Sequence, residues 1–125
     1  MNKKNILLIF GFGYTAKFMC QKFSKKNWEV FCTSRFKEKA KEIKSLNATP
    51  VFFDDEEKIK SILSKNSYIL STAPPENGKD PVIENYGYLF KKNSKKIKWA
   101  GYLSTTSVYG DKKGGWVTED TVLEP

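Results

Sequence analysis

The stretch ILLIFGFGYTA, residues 6–16, decides the fold. It opens on a continuous apolar run at residues 6–10, which predicts a strand buried on both faces of a sheet. The pattern G-x-G-x-x-A follows, and an apolar stripe at helical spacing continues over residues 14–26. A glycine turn between a buried strand and an amphipathic helix is the context in which this pattern binds the pyrophosphate of a dinucleotide.

Each small residue of the turn has a predicted task. Gly11 makes the tight turn, Gly13 lets the backbone approach the pyrophosphate, and Ala16 permits close packing of helix on strand. The free N–H groups at the helix N-terminus then face the anion. The predicted cofactor-binding residues of this turn are Gly11, Phe12, Gly13, Tyr14 and Thr15. The alternative is a turn that holds no ligand.

Strand and helix patterns alternate along the rest of the chain. Further strands are predicted at 28–33, 50–53, 68–71 and 99–105, and further helices at 37–46, 55–64 and 83–93. The last helix is predicted to turn four residues inward, Ile83, Tyr86, Leu89 and Phe90. Such alternation predicts an α/β fold, a Rossmann-type doubly wound parallel sheet of strand order 3-2-1-4-5 in three layers. The whole chain, residues 1–125, is interpreted as one domain.

In such a sheet, ligands bind beyond the carboxyl ends of the strands. Thr33, Ser34 and Arg35 follow strand 2, close to the position where NAD-binding sites carry a carboxylate for the ribose. This chain has no acidic residue there, and Arg35 is its only arginine. A guanidinium pairs with a phosphate as a fork, so the segment favours NADP over NAD. An ordinary surface arginine is the alternative.

Two further strand ends carry candidate cofactor contacts. Asp54 follows strand 3 and is predicted either to accept from the adenine amino group or to cap the next helix. Thr72, Ala73 and Pro74 follow strand 4, where small residues let a cofactor lie close. The prolines there have the alternative role of shaping a loop.

Composition excludes several classes of site. The chain has no histidine, which rules out catalytic histidine systems and every metal site that needs one. Its net charge is +8, but 21 of the 22 basic residues are lysines spread along the chain, so nucleic acid is not the expected partner. The N-terminal apolar run is too short for a signal or a membrane span. Cys20 and Cys32 are interpreted as reduced core thiols of a cytoplasmic protein.

One later segment resembles a known family. STTSVYGD, residues 104–111, is similar to extended short-chain dehydrogenases/reductases, the NAD-dependent epimerase/dehydratase family of sugar-nucleotide enzymes. GGWVTEDT, residues 114–121, resembles its atypical bacterial branch. The resemblance runs from strand 1 to Pro125, and it implies a nucleotide-sugar-like substrate. It also implies that Thr105 is catalytic, orienting the substrate oxygen that gains or loses hydride.

The chain departs from that family in three ways. The first glycine motif of the family is commonly G-x-x-G-x-x-G, whereas the motif here is shorter and ends in Ala16. No Tyr-x-x-x-Lys pair follows the resembling segment, and Tyr88 and Lys92, which have the spacing, precede strand 5 and are interpreted as non-catalytic. The C-terminal strands and substrate lobe of the family are also expected to be missing, and an unfinished sheet edge would predict a homodimer. Three functions follow: an NAD(P)-binding domain of an epimerase-like oxidoreductase, a non-catalytic dinucleotide-binding or sensor module, and, least favoured, an RNA-associated protein.

Overall fold

The structure is a computed structural model, and it describes residues 5–102. Thr105 and the two segments that carry the family resemblance lie outside the described residues. Strands and helices alternate without exception: β1 Asn5–Phe10, α1 Tyr14–Ser24, β2 Trp28–Ser34, α2 Lys39–Ser45, β3 Thr49–Phe52, α3 Glu56–Leu63, β4 Ser67–Ser71, α4 Pro81–Lys92 and β5 Ile97–Tyr102.

The strands form one parallel sheet in the order β3-β2-β1-β4-β5. This confirms the predicted Rossmann-type topology. Strand β1 is central: it pairs with β2 on one side and with β4 on the other. Its last four residues are buried, as a strand covered on both faces requires. The chain leaves β1 toward β2 and returns on the opposite side at β4, so the switch point lies above the end of β1.

Two hydrophobic cores, one on each face of the sheet, complete the predicted three layers. Helices α1 and α2 cover one face, where Ala16, Cys20 and Ile43 are fully buried. Helices α3 and α4 cover the other, around Phe10 and Leu89. The burial of Ala16 at the start of α1 confirms its predicted role in close packing of helix on strand.

The N-termini of α3 and α4 are closed by their own carboxylates. Asp55 Oδ1 accepts from the N–H of Lys58 at 3.1 Å, and Asp80 Oδ1 accepts from the N–H of Val82 at 2.8 Å. The alternative in which Asp54 caps the helix is therefore wrong. Helix α3 begins at Glu56, one residue later than predicted, so the capping position falls on Asp55 and leaves Asp54 exposed.

The inward face of α4 also differs from the prediction. Ile83 is 56% exposed, whereas Val82 is buried together with Tyr86 and Leu89. The Asp80 cap starts the helix at Pro81, so Val82 is already helical and forms one stripe with Tyr86 and Leu89 at i, i+4 and i+7. This stripe packs into the core and turns Ile83 outward. Phe90 packs against the same core from a half-buried position, as expected.

Candidate functional site

A cavity of about 350 Å³ opens at the carboxyl end of the sheet. It draws its walls from the segments that follow β1, β2 and β4, which the sequence had marked separately. The predicted residues that line it are Gly11, Phe12, Thr33, Ser34, Arg35, Ala73 and Pro74. The structure thus brings three predicted strand ends together at one place.

Gly11 is held at the junction of these strand ends. Its φ of +102° lies in the region that side chains rarely adopt. Its N–H donates to Thr33 Oγ1 at 2.9 Å, and a Cβ on it would lie 2.7 Å from Thr72 Oγ1. Thr72 Oγ1 in turn donates to the carbonyl of Phe10 at 3.0 Å. The hydroxyls of Thr33 and Thr72 therefore tie the strand ends together, and Thr72 does not line the cavity.

The N-terminus of α1 is open, unlike those of α3 and α4. Its capping residue is Gly13, with extended backbone, and no side chain accepts from the first N–H groups. The first turn carries no acidic residue, and nothing lies within 4 Å of the Cβ position on Gly13. Tyr14 is 90% exposed, and none of Gly13, Tyr14 and Thr15 lines the cavity. The backbone N–H groups of Tyr14 and Thr15 belong to the first turn of α1, where they have no partner within the helix.

Arg35 lies on an aromatic platform inside the cavity. Its guanidinium carbon is 4.9 Å from the centroid of the Phe53 ring, a cation–π contact. Two hydrogen bonds hold the backbone of Phe53. The Tyr86 hydroxyl donates to the Phe53 carbonyl, and the Phe53 N–H donates to the carbonyl of Ser34. The arginine is thus positioned by packing that begins in the α3–α4 core.

Sequence reasoning missed five lining residues: Phe36, Lys39, Phe53, Glu76 and Pro81. Glu76 had a local signal, since the Asn77-Gly78 pair that follows it is typical of a two-residue β-turn. Lys39 is the first residue of α2 and adds a second cation to the cavity. Within residues 5–102 it takes part in none of the ion pairs. Asp54 does not line the cavity, so its adenine contact stays a prediction.

The two cysteines lie directly behind the glycine turn. Both are free and fully buried, as expected of core thiols. The thiol of Cys32 donates to the carbonyl of Gly11 at 3.2 Å. A hydrogen bond with Cys20, together with burial, raises the pKa of Cys32 far above its usual range. Cys32 therefore remains a protonated donor that supports the turn.

Tyr88 and Lys92 lie away from the cavity. Tyr88 is exposed on α4 and donates to the carboxylate of Glu56 on α3. That hydrogen bond raises the pKa of Tyr88. Lys92 is exposed in the last turn of α4, where a cation favours the helix dipole. Their contacts are those of surface residues.

Replacing Tyr86 with phenylalanine tests how much the hydrogen bond to the Phe53 carbonyl stabilises the fold, and how that stability depends on pH. Burial, with the carboxylates of Asp54 and Glu56 nearby, raises the pKa of Tyr86 to about 12. An unfolded tyrosine has a pKa of about 10, so folding favours the protonated form. This contribution is complete below about pH 10 and is lost as the pH rises toward 12. We expect Tyr86→Phe to lower the free energy of unfolding by about 1–2 kcal/mol at neutral pH, because the Phe53 carbonyl loses its donor.

In urea titrations, the difference in the free energy of unfolding between wild type and Tyr86→Phe should become smaller between about pH 10 and pH 11, because only wild type loses stability there. Tyr88→Phe is the matched control, since it removes an exposed hydroxyl from the same helix. Equal deficits for the two variants at neutral pH would contradict a special role for the buried hydroxyl.

Within residues 5–102, no helix is long and apolar enough to cross a membrane. The same residues hold no cluster of three or more His, Cys, Asp or Glu side chains that would suit a metal ion.

No protein-family model and no curated protein matches the sequence. Solved structures do match. A functionally unknown conserved protein from Silicibacter pomeroyi DSS is 34% identical with a TM-score of 0.82, over 98% of this chain and 43% of its own. SsCR_L211H is 19% identical with a TM-score of 0.62, over 85% of this chain and 39% of its own. A quinone oxidoreductase from Pseudomonas syringae pv. Tomato DC3000 is 15% identical with a TM-score of 0.53, over 87% of this chain and 41% of its own.

The chain spans less than half the length of each of these proteins. SsCR_L211H and the quinone oxidoreductase resemble this chain in fold alone.

Proposed function

We propose that this chain is the NAD(P)-binding domain of an oxidoreductase. The observation that carries the proposal is the uncapped N-terminus of α1, which follows the glycine turn that forms one wall of the cavity. Its backbone donors have no side-chain acceptor, and open space lies above Gly13. Such a helix end binds phosphate groups through its N–H groups and its dipole.

The rest of the cavity suits the other parts of a dinucleotide. Arg35, directly after β2, and Lys39, at the start of α2, supply cations where a ribose 2′-phosphate would bind, and they favour NADP over NAD. Ala73 and Pro74 bring small side chains close to the turn at the end of β4. A bound nicotinamide would supply the hydride chemistry, and the residues described here would bind and orient it.

The substrate proposal rests on the family resemblance. The segment at residues 104–111 favours an epimerase-like reaction on a nucleotide-sugar-like substrate, with Thr105 orienting the oxygen that exchanges hydride. The resemblance of the fold to a quinone oxidoreductase supports an oxidoreductase of some kind. The missing Tyr-x-x-x-Lys pair favours a second candidate, a module that binds the cofactor without turnover.

Cofactor titration of wild type and Arg35→Ala tests the proposal. We expect NADPH to bind more tightly than NADH, and Arg35→Ala to weaken NADPH binding by about tenfold to thirtyfold. The loss is moderate because the Arg35 side chain is 44% exposed and stays partly hydrated. NADH binding should change little, since it has no 2′-phosphate. Nicotinamide fluorescence reports both affinities.

Lys37→Ala is the charge-matched control for Arg35→Ala. Lys37 is exposed near the same strand end and does not line the cavity, so its loss should leave both affinities close to wild type. Equal weakening by the two variants would indicate general electrostatic attraction instead of a 2′-phosphate site. Failure of the wild-type chain to bind either cofactor would overturn the proposed function.

A further inference from the structure

A small hairpin between β4 and α4 carries an acidic side chain to the cavity. Glu76 and Lys79 exchange both backbone hydrogen bonds, at 2.7 and 2.8 Å, in an antiparallel bridge. Between them Asn77 and Gly78 have φ values of 51° and 75°, the combination that a tight two-residue β-turn requires. Asp80 follows at once and caps α4. Glu76 is therefore held on a fixed piece of backbone.

The carboxylate of Glu76 is paired with the guanidinium of Arg35. This contact joins the hairpin to the end of β2 across the cavity that both residues line. The two side chains are 51% and 44% exposed, so water and ions reach the pair. It is also the only ion pair within residues 5–102 that involves a residue of the cavity wall.

We propose that Glu76 is a specificity-determining residue, an internal competitor for the arginine that receives the 2′-phosphate. This inference rests on the proposed function. A 2′-phosphate carries a charge of about −2 near neutral pH, whereas the Glu76 carboxylate carries −1. The phosphate must therefore displace the carboxylate from Arg35 or share the guanidinium with it. Displacement breaks the Arg35–Glu76 ion pair, and sharing places two anions close together, so both arrangements weaken the binding of NADP.

The same carboxylate affects NAD much less. The 2′-hydroxyl of its ribose carries no charge, so it meets no repulsion and has no need to displace Glu76. Arg35 and Lys39 raise the affinity for NADP above that for NAD, and Glu76 makes this difference smaller. The selectivity of the site is set by the balance of the two cations and this acid.

The test compares wild type with Glu76→Gln, which keeps the shape of the side chain and removes its charge. We expect NADPH binding to tighten by about tenfold and NADH binding to change by less than about twofold. Glu84→Gln is the control: it makes the same charge change on α4, where Glu84 pairs with Lys79 outside the cavity. That variant should leave the ratio of the two affinities unchanged. Thermal unfolding should show the two variants close to wild type, because exposed pairs add little stability.

A double-mutant cycle assigns the effect to Arg35. In an Arg35→Ala background, Glu76→Gln should no longer favour NADPH over NADH. If Glu76→Gln leaves NADPH affinity unchanged, or tightens both cofactors equally, the inference fails while cofactor binding by the wild-type chain still stands. If neither cofactor binds to wild type or variants, the proposed function fails and the inference falls with it.

Discussion

Replacing Gly11 with alanine is expected to lower the free energy of unfolding by about 3 kcal/mol, the largest stability effect we predict for a single methyl group in this chain. Two costs add. The φ of +102° is strained for any residue with a side chain. The new methyl group would also lie 2.7 Å from Thr72 Oγ1 and 3.1 Å from the backbone nitrogen of Ala73. Since one of these neighbours is backbone, a rotamer change of Thr72 cannot relieve the collision completely.

Gly78→Ala separates the two costs. Gly78 also has a positive φ, of 75°, but nothing lies within 4 Å of its Cβ position. This variant should lose only about 1 kcal/mol, the conformational part. Urea titrations followed by tryptophan fluorescence give both values. Equal losses for the two variants would show that the β1 and β4 strand ends do not approach each other as closely as the structure places them.

The fold was predictable because its signals are local. The apolar run of β1, the glycine turn and the stripe of α1 are contiguous in the chain, and the alternation of elements then leaves few topologies. The error at α4 has a local cause as well. Its apolar residues fit more than one rotation of the helix, and the Asp80 cap, which sets the starting residue, was not recognised.

The cavity was predictable only in part. Parallel strands end at the same edge, so Arg35 and Ala73 could be placed together without knowing any contact. The Asn77-Gly78 pair marks a tight turn beside Glu76, but its pairing with Arg35 depends on side-chain positions that the sequence pattern does not contain. The sequence places Phe53 only at the end of predicted strand 3, residues 50–53. Its role as the platform under Arg35 depends on a contact that no periodicity encodes.

Placing an aspartate at Gly13 is expected to abolish dinucleotide binding while the fold remains intact. Gly13 has the extended backbone of a helix-capping residue, so an aspartate fits there without strain, as Asp55 and Asp80 do on α3 and α4. Its carboxylate would accept from the open N–H groups of α1 and raise the free energy of unfolding by about 0.5 kcal/mol. It would also occupy the place that we propose for the pyrophosphate and repel it. NADPH and NADH should both bind at least about a hundredfold more weakly.

Gly13→Asn separates charge from occupancy. Asparagine also caps helices, so it fills the same space and satisfies the same donors without repelling a phosphate. Its affinities should fall between those of wild type and Gly13→Asp, and unlike Arg35→Ala it should not discriminate between the two cofactors. Urea and cofactor titrations of one Gly13→Asp preparation separate a blocked site from a damaged fold. A blocked site gives higher stability with weaker cofactor binding, whereas a damaged fold lowers both. If Gly13→Asp binds both cofactors like wild type, the phosphates do not lie on the N-terminus of α1, and the observation that carries the proposed function is lost.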